Sequence, residues 1–295
     1  MKNQYVGDIG DYGKYSLLRF LSQRGITVGI NWYLTGNDGS SDGRFTEYLS
    51  DPDERIFDPI VYDNLKTIVS AYKPNLRSVQ MIQKADIIPG ASYFGEEIPV
   101  DALTPAERAQ ARECWLLRSE DSLQNSDLIF ADPDNGISYT KTARRKGAEK
   151  YILPEEVAEY YHQGKDVVFY CHKGRRRREE WEQVKVAMKL FIEEAKIMVL
   201  TFHRGTQRSY IFILHPEHET DYDLILNEFV AKQWRNSKAF SREETIDMPS
   251  KALYRRFRTG FAAPVMGEVY PKGSQIKQNE DGTVTVLPDT ETNNK

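Results

Sequence analysis

Cysteine is nearly absent from this chain: Cys114 and Cys171 are the only two, and they lie far apart. That excludes a disulfide framework. Neither has the spacing of a zinc site, so a reducing, cytoplasmic setting is expected. Long apolar runs are missing too. None approaches the ~20 residues of a bilayer-spanning helix. The opening MKNQYVGDIGDYGKY lacks the apolar centre of a secretory signal. There is no excess of positive charge either. The 40 Lys and Arg are outnumbered by 44 Asp and Glu, a formal net charge of −4, which excludes a globally basic nucleic-acid binder. No internal repeat is visible.

The 295 residues show instead an alternation of helical and extended patterns. A helix is expected over 11–24, with Asp11 as its cap, followed by a strand in ITVGINWYL (26–34). SVQMIQ (78–83) reads as a short strand, and IIPGASYFGEEIP (87–99) as irregular or a hairpin. Thr104, Pro105 and Glu107 form a capping box ahead of a helix over 103–119. SDLIFA (126–131) and DVVFYC (166–171) are continuous apolar runs, the pattern of buried strands. A helix over 178–195 precedes KIMVLTF (196–202) and RSYIFILHP (208–216), two strands of a hairpin. Helical pieces are expected at 221–235 and 249–258. This order predicts an α/β protein with a Rossmann-like three-layer sheet, mostly parallel, ending in an antiparallel β-hairpin. Residues 1–271 are read as one domain, with a helical extension from about 217. Residues 272–295 are read as a polar tail, expected to be disordered.

In such sheets ligands gather outside the carboxyl ends of the strands. Three of these ends are polar. After LIFA comes Asp132-Pro133-Asp134-Asn135-Gly136. Proline ends the ladder, glycine frees the turn, and Asp132, Asp134 and Asn135 are displayed. After DVVFYC comes His172, a candidate acid or base near neutral pH together with His203. Lys173 and Arg175, Arg176, Arg177 and Arg178 follow it as a basic run able to hold phosphates, although such runs are also common on solvated faces. The third end is the loop after NWYL, with Gly36 and Asp38. Upstream of it, GDIGDYGKY (7–15) is too specific for an ordinary helix start. It places Asp8, Asp11, Tyr12 and Lys14 at the mouth of a site.

The layout resembles Rossmann-type S-adenosylmethionine-dependent methyltransferases. It is most similar to the bacterial large-subunit ribosomal RNA adenine-N6 methyltransferase family. ADPDNG stands where that family carries an Asp-Pro-Pro-Tyr-like motif. GDIGDYGKYSLLRFL (7–21) and CHKGRRRREEW (171–181) match its leading motif and a later basic segment. The resemblance implies an amino-methyltransferase directed at nucleic acid, with S-adenosylmethionine as cofactor. Asp132 would then accept from the target amino group, and Asp8, Asp11, Tyr12, Lys14, Asn31, Gly36 and Asp38 would face the cofactor. Asp134 replaces the second proline of the motif, and Asn135-Gly136 replaces its base-stacking aromatic. Tyr12 or Tyr139 would have to supply that ring. DIGDYGKY and DPDNG together also resemble a set of bacterial and phage-associated proteins.

Two alternatives remain open from the residues alone. Asp8, Asp11, Asp132 and Asp134 offer oxygen ligands for Mg²⁺, as in a metal-dependent nuclease or phosphohydrolase. A catalytically inactive module that binds nucleic acid or a partner in phage–host conflict would keep the fold without the chemistry.

Overall fold

The computed structural model describes residues 1–249, apart from 38, 40–42, 100–103 and 235–236, together with the strands Gln275–Gln278 and Val284–Leu287. The chain divides into two compact units, Met1–Phe257 and Arg258–Lys295.

In the first unit α1 (Ile9–Gln23) leads into β1 (Val28–Asn31), then α2 (Pro59–Ala71), α3 (Val79–Lys84) and β2 (Ser92–Phe94). Next come α4 (Pro105–Leu123), β3 (Leu128–Ala131), α5 (Pro154–His162), β4 (Asp166–His172) and α6 (Arg178–Val186). The hairpin β5 (Lys196–Phe202) and β6 (Arg208–Leu214) follows, then α7 (Glu219–Glu228) and β7 (Phe240–Glu243). Strand order across the sheet is β2-β1-β3-β4-β6-β5-β7. The first four strands are parallel, and β6 lies antiparallel between β4 and β5. β7 closes the far edge, antiparallel to β5. The protein is thus α/β, with a mixed sheet that is parallel at its centre and antiparallel toward its end.

Side chains alternate across each strand, and two apolar layers result. Ile30, Phe130, Val168, Leu200 and Phe212 pack with α1, α2 and α7. Ile129, Val167, Phe169, Val199 and Ile211 pack with α4, α5 and α6. Both faces of the sheet are covered, which is why its central strands are apolar throughout.

Some local readings change. Residues 78–83 form helix, not strand: the Ser78 hydroxyl accepts from the Gln80 amide at 3.2 Å, and Val79 and Ile82, three apart, are the buried pair. Within 87–99 the chain forms β2, parallel to β1, rather than a hairpin. α1 starts two residues earlier than expected and is capped by Asp8, not Asp11. The helix from 178 tightens after Val186 into a 3-10 turn, Ala187–Leu190. α7 continues as one π turn, Phe229–Gln233. The helical piece expected at 249–258 lies outside the described residues. In the second unit β8 (Gln275–Gln278) and β9 (Val284–Leu287) pair antiparallel. The β-branched run Val284-Thr285-Val286 suits that strand.

Candidate functional site

β1, β3, β4 and β5 all end at one edge of the sheet, and β6 begins there, Arg208 pairing with His172. From β1 the chain moves outward to β2, then returns to β3 on the other side, so strand order reverses between β1 and β3. A crevice is expected at such a reversal. A cleft of about 560 Å³ opens at this edge, with Asp8, Asp11, Lys14, Asp132, Asp134 and Asn135 in its lining.

The start of α1 supplies the first wall. The Asp8 carboxylate accepts from the Gly10 amide (3.0 Å) and the Phe45 amide (3.2 Å), and ion-pairs with Arg208 at 2.6 Å. Gly10 makes room for that ion pair. A Cβ there would fall 2.3 Å from the Arg208 Nε, so any other residue would have to move the guanidinium from its place across the helix start. Asp11, in the first turn of the helix, accepts from the Gly7 amide at 3.0 Å. Lys14 lies on the same helix face as Asp11, three residues on. Its ammonium sits 2.7 Å from Asp11 Oδ1 and 2.6 Å from Asp132 Oδ2, all three side chains being buried. Burial alone would push Lys14 down. The two carboxylates outweigh it and hold the ammonium above its usual range. Burial raises Asp11 against the pull of Lys14.

The turn after β3 supplies the second wall. Gly136 adopts φ +84°, and a Cβ on it would lie 2.5 Å from the Cys171 Sγ on β4. Glycine is therefore fixed here by both conformation and close approach. The amide of Asn135 donates to the Lys150 carbonyl (2.9 Å), and the Thr35 hydroxyl donates to Asp134 (3.0 Å). The amino group of Met1 donates to the carbonyls of Tyr33 (3.1 Å) and Asp132 (2.7 Å), and lies 2.9 Å from Asp134 Oδ1. Met1 thus bridges the ends of β1 and β3.

The third wall is aromatic and basic. Tyr170, His172, Arg208 and Tyr210 line it, with Tyr5, Arg44, Phe45 and Lys150 toward the rim. Tyr210 is fully buried, and among the described residues its hydroxyl has no hydrogen-bond partner. Burial, reinforced by Arg208 and Arg176, lowers His172 from its usual range, so it is neutral at pH 7. The Cys171 thiol behind it is pushed up to about 11 by burial, which marks it as inert.

Of the residues singled out from sequence, Asp8, Asp11, Lys14, Asp132, Asp134, Asn135 and His172 meet in this cleft. Others do not. Tyr12 is buried in the core, where it stacks on Tyr48 and its hydroxyl joins the Glu54 carbonyl to the Asp58 amide. Asn31 donates to the Tyr160 hydroxyl (3.0 Å) and accepts from the Tyr33 amide (3.1 Å), holding Tyr33 at φ +44°. Gly36 is exposed in the loop, and Asp38 lies outside the described residues. Tyr139 packs against Phe191, away from the cleft. Lys173 and Arg175–Arg178 follow β4 beside the cleft without lining it. Arg176 turns back to the His172 carbonyl (2.7 Å), while Arg175, Arg177 and Arg178 are exposed. Sequence reasoning missed Tyr5, Phe45 and Tyr170, and did not place Arg208 in the site. Only the fold joins these four segments, although Arg208 at the start of a strand was a visible signal. No family model matches this chain, and no curated protein does.

Proposed function

We propose that this chain is a nucleic-acid-directed amino-methyltransferase-like protein that uses S-adenosylmethionine. One observation carries the reading. The cleft opens at the reversal between β1 and β3, and Asp132 lies in its lining at the carboxyl end of β3. The antiparallel β6 between β4 and β5 agrees with the layout that suggested this class. Likeness of fold alone would not carry a function.

The residues present fit such a cofactor. About 560 Å³ is within the range of small-molecule sites. Among the described residues the buried Tyr210 hydroxyl lacks a partner, which leaves a polar atom for a ligand to meet. When bound, the cofactor supplies an electrophilic methyl group. Asp132 would accept from the target amino N–H and orient the nitrogen lone pair. Lys14 fixes that carboxylate through its second partner, Asp11. Tyr5, Phe45 and Tyr170 offer the stacking surface that Asn135-Gly136 does not. Positioning and exclusion of water would provide most of the rate, because methyl transfer needs no covalent help from the protein. Arg175, Arg177 and Arg178 would meet phosphates beside the cleft.

The Mg²⁺ reading is weaker. Lys14 already occupies the space between Asp11 and Asp132, and Arg208 faces Asp8, so an ion would have to displace the chain's own cations. A binding module without catalysis is favoured by the place of Met1, which spans the β1–β3 crevice, its amino group donating to the carbonyls of Tyr33 (3.1 Å) and Asp132 (2.7 Å). Calorimetric titration with S-adenosylmethionine, with and without Mg²⁺, separates the three. Micromolar cofactor binding that Asp132→Asn weakens supports the methyltransferase reading. A heat of Mg²⁺ binding that depends on Asp132 and Asp134 supports phosphodiester chemistry. No signal from either favours the binding module.

A further inference from the structure

A second group of ligating side chains lies at the opposite edge of the sheet and has no part in the cleft. Asp166 opens β4. His215 follows the end of β6 and precedes a 3-10 turn, Pro216–His218, that leads into α7. In a 3-10 turn residues three apart eclipse one another. His215 and His218 therefore present their imidazoles on one side, toward Asp166. Nδ1 of His215 is 3.1 Å from Asp166 Oδ1, and Nδ1 of His218 is 2.8 Å from Oδ2. One ligand atom from each residue lies within 4.8 Å of the others.

The charge balance at this edge differs from that in the cleft. Asp166 is buried, yet among the described residues no Lys or Arg forms an ion pair with it. Its neighbours add negative charge. Glu194 and Glu217 act with Asp166 on Tyr161, and Asp127 acts with it on Tyr222. A buried carboxylate with two imidazole nitrogens against it is a donor set that suits a cation. The supporting residues are those of a held ligand set. The Asp166 Oδ1 also accepts from the His215 amide at 2.8 Å, and the Tyr222 hydroxyl bonds to the same carboxylate. The His215 ring stacks on Tyr161 at 3.9 Å with 5° between planes, which fixes its orientation. The His218 side chain is 46% exposed, which leaves a path from solvent.

We propose that Asp166, His215 and His218 bind a divalent transition-metal ion of the zinc type. Two imidazole nitrogens and one carboxylate oxygen would bind it, with a further position left to water. β4 spans seven residues, so this site lies about 20 Å from the cleft at the strand's other end. The ion would tie the start of β4 to the end of β6 and the start of the 3-10 turn before α7.

The test is equilibrium dialysis of the full chain against ZnCl₂ with metal analysis, paired with visible spectroscopy of the Co²⁺-loaded protein. A single Zn²⁺ per chain is expected. His218→Gln and His215→Gln should each weaken it about tenfold or more. His203→Gln, on the exposed hairpin link at the other edge, should leave it unchanged. Co²⁺ should show the visible bands of nitrogen and oxygen ligation. His218 is half-exposed, so its variant should fold, and circular dichroism checks this. The Co²⁺ spectrum needs no variant at all. Absence of stoichiometric Zn²⁺ from the wild-type chain, absence of those bands, or undiminished binding in both histidine variants would overturn the proposal.

Discussion

Two charged segments border the same edge of the sheet, and they handle charge in opposite ways. In Gly7–Tyr15 every charged side chain is buried and matched: Asp8 with Arg208, and Asp11 with Lys14, which also reaches Asp132. In Lys173–Arg178 the charges point to solvent. Arg176 alone is turned inward, onto backbone carbonyls, and among the described residues the other four form no ion pair. Charges of the first kind shape a site and cannot be spared. Charges of the second kind are free to meet a partner and contribute little to folding.

Lys14→Met should break this contrast most sharply. It leaves Asp11 and Asp132 buried together with no cation between them, at a cost of about 3–5 kcal/mol. Urea unfolding would measure it, and a loss below about 1 kcal/mol would mean that the pair is not buried as described. Gly136→Ala comes next. The new methyl meets Cys171 on β4 at a backbone angle that favours glycine, and the expected loss is about 1–3 kcal/mol. A neutral result would detach the DPDNG turn from β4.

Acid sensitivity is the third and smaller effect. Unfolded, His172 takes up a proton near its ordinary pKa of about 6.5. Folded, burial and Arg208 delay that uptake to lower pH. Stability is therefore unaffected above the ordinary value, falls as pH drops through it, and levels off below the folded value. His172→Gln should flatten that part of the pH–stability curve. An unchanged slope would assign the acid sensitivity to other groups. Least for stability is Arg175→Gln with Arg177→Gln and Arg178→Gln, expected to stay within about 0.5 kcal/mol. Those same changes should reduce the salt dependence of nucleic-acid binding by about 0.9 in log–log slope for each phosphate that the wild-type arginines neutralise. Filter binding over a salt series would show it. An unchanged slope would make the run a solvated face and remove the contrast.

The order of elements was legible because apolar runs such as LIFA and DVVFYC can only be buried strands, and the alternation with helices limits the topology. Asp132, Asp134 and Asn135 were legible because a display turn at a strand end is a local feature, and Asp8 and Asp11 because they stand at a helix start. Other residues were illegible for definite reasons. Tyr12 carries a polar tip on a helix that is buried on nearly all sides, so position along the helix could not separate core from cleft. The glycines at 10 and 136 read as turn and helix-start chemistry, but each answers to a residue far along the chain, Arg208 or Cys171. Val79 and Met81 alternate as in a strand while Val79 and Ile82 share a helix face, so six residues could not decide the period. β7 has only Phe240 fully buried, too weak a pattern to announce a strand.

The insertion of β6 between β4 and β5 bears on how this protein is made. The pair Arg208–Asp8 joins residues 200 apart, and β6 can enter the sheet only after β5 has been synthesised. Loop closure over such distances slows folding, so the sheet should complete late. Until then a nascent chain presents one edge of β4 without its neighbour, an invitation to mispairing that a holding chaperone would suppress. The cleft is complete only once Arg208 and Tyr210 on β6 have left the ribosome.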